Sequence, residues 1–265
     1  MGNAAEIETP ANKLELRSIA KTYRIGGQTA DVLHGIDLTV RDREFVSVVG
    51  PSGSGKSTLF YMIGGLTEPS AGSVWLDGRD VTGERGLISY MPQHDGLFPW
   101  RSILDNVVLS QEIAGRSKAA ARRDAREWLQ RVGLGGYEEA LPHQLSGGMR
   151  QRASFLRALL SPRDLMCLDE PFGALDALTR LEMQQWLLRI WEDNRRSVLF
   201  VTHSIEEALL LSDRVYVLAG RPATVADVVD VPFGRPRDEA VTSDSAFLSL
   251  KKRIYETLRA GSGRG

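Results

Sequence analysis

Gly50-Pro51-Ser52-Gly53-Ser54-Gly55-Lys56-Ser57-Thr58 fits the pattern G-x-x-x-x-G-K-[ST]. At average residue frequencies the pattern arises by chance in about 1% of chains this long, so its flanks decide whether it counts. Before it, Phe45-Val46-Ser47-Val48-Val49 reads as a buried strand; after it, Leu59 to Gly65 can open a helix. Strand, glycine loop and helix are the context of a phosphate-binding loop. Glycines let several backbone N–H groups fold around an anion, and the helix N-terminus assists. In that setting Lys56 reaches the β- and γ-phosphates and the Ser57 hydroxyl ligates Mg²⁺. A Gly/Ser surface turn is the competing reading, and the flanks disfavour it. The stretch points to a nucleoside triphosphate.

Bulk properties bound what surrounds that loop. A chain of 265 residues with 42% hydrophobic content suits one large α/β domain or a domain with a sub-lobe. The 33 basic and 34 acidic residues leave a formal charge of −1, which argues against nucleic acid as the main partner. A single Cys167 excludes an intrachain disulfide and fits a reducing compartment. No apolar run approaches the length of a transmembrane helix. Residues 1–13 are polar, lack the apolar core of a secretory signal, and are expected to be disordered.

Along the chain, Leu14 to Tyr23 and Val32 to Val40 read as antiparallel strands joined at Gly26-Gly27. Ser73 to Gly78 and Leu87 to Met91 read as further strands. From Ile103 to Leu160 the pattern turns helical, with Ala121, Ala125, Trp128, Leu129 and Val132 as a core stripe. Leu165–Leu168, Val198–Val201 and Val215–Leu218 read as buried parallel strands, with a helix over Ala177–Asn194 between the first two. Val225 to Val231 reads as an edge strand. The stretch Pro232–Pro236 is expected to end the fold, with a short helix over Ala246–Leu258 and a flexible tail from Gly261. The spacing therefore predicts a 14–235 domain, with helices over about 98–160 and a 236–265 appendage.

Two further constellations carry chemistry. Leu165-Met166-Cys167-Leu168-Asp169-Glu170 is a strand delivering two carboxylates to the sheet edge where open α/β sheets bind ligands. Asp169 there suits Mg²⁺, and Glu170 can orient an attacking water or take its proton. Leu145-Ser146-Gly147-Gly148-Met149-Arg150-Gln151-Arg152 places a hydroxyl and free N–H groups at a helix start, a second anion site. One phosphate loop does not explain two such sites; the simplest account is that the second serves another subunit's nucleotide.

The glycine loop, Gln93, Leu145–Arg152, Leu165–Pro171, Gly173-Ala174-Leu175-Asp176 and His203, in this order, resemble the ATP-binding subunit of an ABC transporter over roughly residues 14–235. The resemblance implies a P-loop ABC ATPase: an α/β core with a mostly parallel sheet, an antiparallel β subdomain and a helical subdomain. It implies that Tyr23 stacks on adenine and that Gly50, Ser52, Gly53, Ser54, Gly55, Lys56, Ser57 and Thr58 hold the phosphates of ATP. Mg²⁺ would be held by Ser57, Gln93 and Asp169. Glu170 would be the catalytic base, with Lys56, Gln93 and His203 completing the catalytic set. Ser146, Gly147, Gly148 and Asp176 would meet the ATP of a second copy in a head-to-tail dimer. Implied partners are permease subunits in the membrane and, indirectly, an extracytoplasmic solute-binding protein, which places the chain on the cytoplasmic face of the cell membrane.

Within that family, Gln93-His94-Asp95-Gly96-Leu97-Phe98-Pro99-Trp100, Asp105-Asn106-Val107 and Pro232–Arg237 resemble the nitrate/sulfonate/taurine importers. Two departures stand out: Met91-Pro92 before Gln93 where Phe is usual, and Gly173 where Ser is usual. Phe98 and Trp100 read as lining the groove for a permease helix, with core packing an equal reading for Trp100. The alternatives are a soluble ABC ATPase or import of another solute such as a pyrimidine precursor. A ribosome-associated ATPase would normally carry two cassettes. A chromosome ATPase would need coiled coils between Lys56 and Ser146, and a P-loop kinase would not explain Leu145–Gln151.

Overall fold

The computed structural model describes residues 11–173 and 175–262. β1 (Asn12–Ile25) and β2 (Gln28–Arg41) form a long antiparallel hairpin. It closes at Gly26 and Gly27, both at positive φ (59° and 84°), a turn that glycine makes without a Cβ penalty. β3 (Phe45–Val49) leads into the glycine loop and α1 (Lys56–Ile63) out of it. β4 (Ala71–Leu76) and β5 (Arg79–Asp80) complete a four-stranded antiparallel sheet in the order β2-β1-β4-β5. After β6 (Ser89–Met91) come α2 (Ile103–Val107), α3 (Leu109–Ile113), α4 (Lys118–Arg131) and α5 (Gly147–Leu159). β7 (Leu165–Asp169), α6 (Ala177–Asn194), β8 (Ser197–Thr202), α7 (Ile205–Leu211) and β9 (Arg214–Ala219) follow. β10 (Thr224–Asp230) and α8 (Ser245–Ser262) end the described chain.

The second sheet runs β10-β9-β3-β8-β7-β6, parallel throughout except for the antiparallel edge strand β10. Every residue of β3, β7, β8 and β9 is buried, as expected for strands covered on both faces. On one face Val46, Val48, Cys167, Leu199 and Val201 pack with α1 and with Leu14, Leu16, Ile36 and Leu38 of the hairpin. On the other, Phe45, Met166, Leu168 and Phe200 meet the helices α2, α4, α5 and α6. Fully burying each such apolar side chain contributes roughly 1.5–3 kcal/mol, so the sheet is fixed from both sides. Ala121, Ala125, Leu129 and Val132 are buried as the spacing predicts, and Trp128 is half-buried beside them.

The two chain ends depart from expectation. Residues 1–10 lie outside the described residues, but Asn12 and Lys13 belong to β1 rather than to a disordered leader. The Lys13 ammonium is held between Asp77 (3.0 Å) and Asp164 (3.3 Å). Nor does the fold stop at Pro232–Pro236. α8 starts one residue earlier than the pattern predicts and runs through Gly261. Its Phe247 and Ile254 are buried with Val215, Val217 and Val229. Gly261 approaches β9 so closely that a Cβ would stand 2.4 Å from Ala219 Cβ, which explains a glycine that read as a tail. Residues 263–265 of the expected tail lie outside the described residues.

Arg235 and Arg237 turn inward. Arg235 stacks on Trp191 (4.2 Å to the ring centre) and pairs with Asp213 (2.8 Å). Arg237, its side chain 2% exposed, donates to the carbonyls of Phe233, Leu209, Leu210 and Ser212. It thereby caps the C-terminal end of α7, where a cation meets the negative end of the helix dipole. Burial, reinforced by neighbouring Arg235, pushes the guanidinium down to about 10. Arg237→Ala strands several buried carbonyls and is expected to cost about 3 kcal/mol. Urea unfolding checks this: an unchanged midpoint would show that the cap is dispensable.

Candidate active site

The glycine loop is shaped by close approaches. Gly55 sits at φ 84° as the cap of α1, and a Cβ there would lie 2.8 Å from Val32 Cγ1 of the hairpin. A Cβ on Gly50 would lie 2.7 Å from Ser54 Oγ and 3.0 Å from the Leu218 carbonyl. Both glycines are there because the loop is pressed against β2 on one side and β9 on the other. The Lys56 ammonium donates to the carbonyls of Gly50 and Pro51, each at 2.9 Å, and so staples the loop to itself.

An open groove of about 350 Å³ runs over this loop, lined by Ser52, Gly53, Gly55 to Thr58, Val32, Gln93 and Glu170. Gly50 and Ser54 belong to the same loop but do not line the groove. Ser54 Oγ is buried without a hydrogen-bond partner.

Parallel pairing of β3 with β8, and of β8 with β7, brings the chemistry to one edge. Glu170, one residue past β7, holds an αL backbone (φ 45°), which is strained for a residue with a Cβ. Its N–H donates to the Val201 carbonyl (2.9 Å), fixing the carboxylate at the sheet edge. Three groups converge on that carboxylate. Lys56 Nζ is 3.9 Å from Oε1, Gln93 Nε2 donates to Oε2 at 3.3 Å, and His203 Nδ1 is 3.1 Å from Oε2. Gly173 lies alongside with room for a Cβ (3.5 Å from the Glu170 carbonyl), so no close contact demands glycine where serine is usual.

Asp169, 2% exposed, accepts from the Tyr90 hydroxyl (3.4 Å). Burial pushes its carboxyl above the usual range, while nearby Ser57, Tyr90 and Lys56 pull the other way. The Lys56 ammonium is lowered by burial against the opposing charges of Glu170 and Asp169. Asp169 Oδ1 is buried with no hydrogen-bond partner. With the Ser57 hydroxyl and the Gln93 amide oxygen it makes a set of hard oxygen donors, which fits Mg²⁺.

The structure keeps the other expected residues apart from this cluster. Ser146 caps α5, accepting from Met149 N (3.3 Å), and with Gly147 is exposed. Gly148 faces Thr179 and Leu175, not the glycine loop. Asp176 caps α6 by accepting from Thr179 N (3.0 Å) and Thr179 Oγ1 (2.6 Å). The Thr179 hydrogen bonds hold the Asp176 carboxyl below its usual range. Tyr23, half-buried on β1 with the Lys21 ammonium 5.0 Å from its ring centre, is outside the groove lining.

Two participants escaped the sequence reading. Val32 lines the groove because the hairpin folds over Gly55, and Tyr90 meets Asp169 because β6 pairs with β7 at Tyr90–Cys167. Neither position carries a motif; only strand pairing reveals them.

The sequence model of the ABC transporter family matches residues 33–173. The chain is 44% identical to the formylaminopyrimidine import ATP-binding protein ThiZ of Halalkalibacterium halodurans, over 87% of this chain and 91% of that one. It is 39% identical to the nitrate import ATP-binding protein NrtD of Synechococcus elongatus, over 92% and 91%. Among solved structures it superposes on the dimeric ATP-binding cassette MJ0796, bound to ADP and Pi in a post-hydrolysis state. There the TM-score is 0.74 at 31% identity, covering 83% of this chain and all of that one. The two-sheet architecture, the loop over β3 and α1 and these likenesses agree. The chain belongs to the ABC transporter family, as one of its ATP-binding, ATP-hydrolysing subunits.

Proposed function

We propose that this subunit powers an importer of a small solute, working as a head-to-tail dimer in which each ATP lies between one copy's glycine loop and the other's Ser146–Gly148. The observation that carries this reading is the division of the site. Lys56, Gln93 and His203 converge on Glu170, while Ser146, Gly147 and Asp176 are exposed and none of them lines the groove over the glycine loop. An anion-binding helix start facing solvent is useful only if another molecule supplies the phosphate. ATP then favours the closed pair by its higher affinity for it, and hydrolysis releases the closure.

In this reading Gly50 to Thr58 hold the phosphates, and Tyr23 stacks on adenine. Glu170 takes a proton from the water that attacks the γ-phosphorus, and Lys56 and His203 meet the charge that develops on the departing γ-phosphoryl oxygens. Ser57, Asp169 and Gln93 would hold Mg²⁺, which when bound neutralises phosphate charge. Asp176, beside Gly148, would carry contacts across the dimer.

Partner docking follows from exposed apolar surface. Trp100 is 73% exposed and stacks obliquely on Phe98 (5.3 Å), so the core-packing alternative for Trp100 falls. Beyond Gln93, an apolar groove is lined by Tyr90, Pro92, Leu109 and the exposed Ile113. This face suits a cytoplasmic helix of a permease. Among the described residues no helix is long and apolar enough to cross a membrane. The cargo reading is a small anion such as an aliphatic sulfonate, taurine or nitrate. The likeness to a formylaminopyrimidine importer keeps a pyrimidine precursor as the second reading.

The test is affinity capture of the Glu170→Gln chain with ATP from detergent-solubilised host membranes, read by mass spectrometry. A multi-span permease is expected among the captured proteins; ribosomal or chromosomal proteins alone would overturn the importer reading. Trp100→Ala is expected to bind ATP normally yet lose at least tenfold of the captured permease, since exposed aromatics anchor such contacts. Undiminished capture would exclude Trp100 from the docking surface.

A further inference from the structure

Ser204-Ile205-Glu206-Glu207 has the S-x-x-E pattern of a helix capping box, in which the glutamate side chain returns to the serine N–H. Half of that box forms: Ser204 Oγ accepts from Glu207 N at 3.2 Å. The other half does not. Ser204 N donates instead to Thr202 Oγ1 (3.0 Å), and the Glu207 carboxylate turns inward, 8% exposed. There Oε2 accepts from Thr202 Oγ1 (2.6 Å) and Oε1 from Gln184 Nε2 of α6 (3.1 Å), with Arg180 Nε at 3.9 Å. A carboxylate withdrawn from water is costly unless it is hydrogen-bonded, whereas the same group closing the box at the surface would carry no such cost. Stability of α7 alone therefore does not account for its position.

The contacts of Glu207 lead in two directions. Thr202 and Ser204 flank His203, whose Nδ1 is 3.1 Å from Glu170. Gln184 and Arg180 lie on α6, and Arg180 Nη2 donates to the Leu175 carbonyl (2.8 Å), next to the helix cap Asp176. Thr179, in the first turn of α6, packs against Gly148, where a Cβ would stand 3.1 Å from its Cγ2. We infer that Glu207 is a positioning residue for ATP hydrolysis: it fixes the loop bearing His203 to α6, and so registers the histidine against the Asp176–Gly148 surface. This rests on the reading that His203 serves hydrolysis and that this surface meets the second copy.

The experiment is a double-mutant cycle on steady-state ATP turnover in the full chain, combining Glu207→Gln with His203→Ala. Glutamine keeps the volume but removes the charge, and its NH₂ group cannot accept from Thr202 Oγ1 or Gln184 Nε2, so one of the two bonds is lost or reversed and the charge-assisted anchor is gone. Glu207→Gln alone is expected to lower kcat about tenfold, as misplacement of a reacting-site group does, with KM for ATP unchanged. In the His203→Ala background it is expected to cost nothing further. Thr202→Val, which cuts the same network from the other side, is expected to reproduce both results and serves if Glu207→Gln does not fold. Equal losses in both backgrounds, or unchanged kcat in either variant, would overturn the positioning role. A His203→Ala chain as active as the native one would overturn the assignment of His203 itself, a distinct failure.

Discussion

Glu170→Gln is expected to bind ATP within about threefold of the native affinity while its turnover falls about a hundredfold or more. The substitution keeps the side-chain volume at a position that is 15% exposed and preserves one oxygen for its neighbours. What it removes is the anion on which Lys56, Gln93 and His203 converge. If that carboxylate takes the water's proton, its loss strikes the chemical step and not binding. Phosphate release against fluorescent-nucleotide titration separates the two quantities. In the dimer reading the variant is also expected to accumulate as an ATP-bound dimer in size-exclusion chromatography. Turnover within about threefold of native would refute the base assignment, because a positioned general base contributes far more than that.

Lys56→Ala is expected to weaken nucleotide binding itself, by about 30-fold. Removing a charged donor from a phosphate costs about 2 kcal/mol, which corresponds to that factor. The side chain is 5% exposed and reaches the groove floor between the loop carbonyls and Glu170. The ammonium also staples the loop, so part of the loss reflects a less ordered cradle. Lys56→Arg tests the geometry: a planar fork cannot occupy the place of a compact ammonium, and it is expected to recover little of the affinity. An unchanged dissociation constant for Lys56→Ala would remove the residue from the phosphate site. Together the two substitutions separate holding the nucleotide from cleaving it.

Residues close in sequence declared themselves early. Gly50–Thr58 could be read because a glycine loop between a buried strand and a helix is a local solution to binding an anion. β3, β7, β8 and β9 were visible as apolar runs, because strands covered on both faces admit no alternation. The helix that the spacing predicts over Ala177–Asn194 is α6, with the same bounds. The C-terminal segment misled, since Pro232–Pro236 reads as an exit. Only the packing of Phe247, Ile254 and Gly261 onto β9 and its neighbours shows otherwise.

The sequence by itself determined the family, the glycine loop between β3 and α1 and the acidic, amide and imidazole residues to expect near it, because those signals are contiguous and ordered. The tertiary structure decided which of them meet. Strand order brings Lys56, Gln93, Glu170 and His203 to one edge across more than a hundred positions, and Ser146–Gly148 do not line the groove there. It also withdrew Glu207 from the capping box its spacing predicts and joined it to Thr202 and Gln184. Local patterns fix what a segment can form; the free energy of burying both sheet faces fixes where those segments stand, and with that which side chains become neighbours.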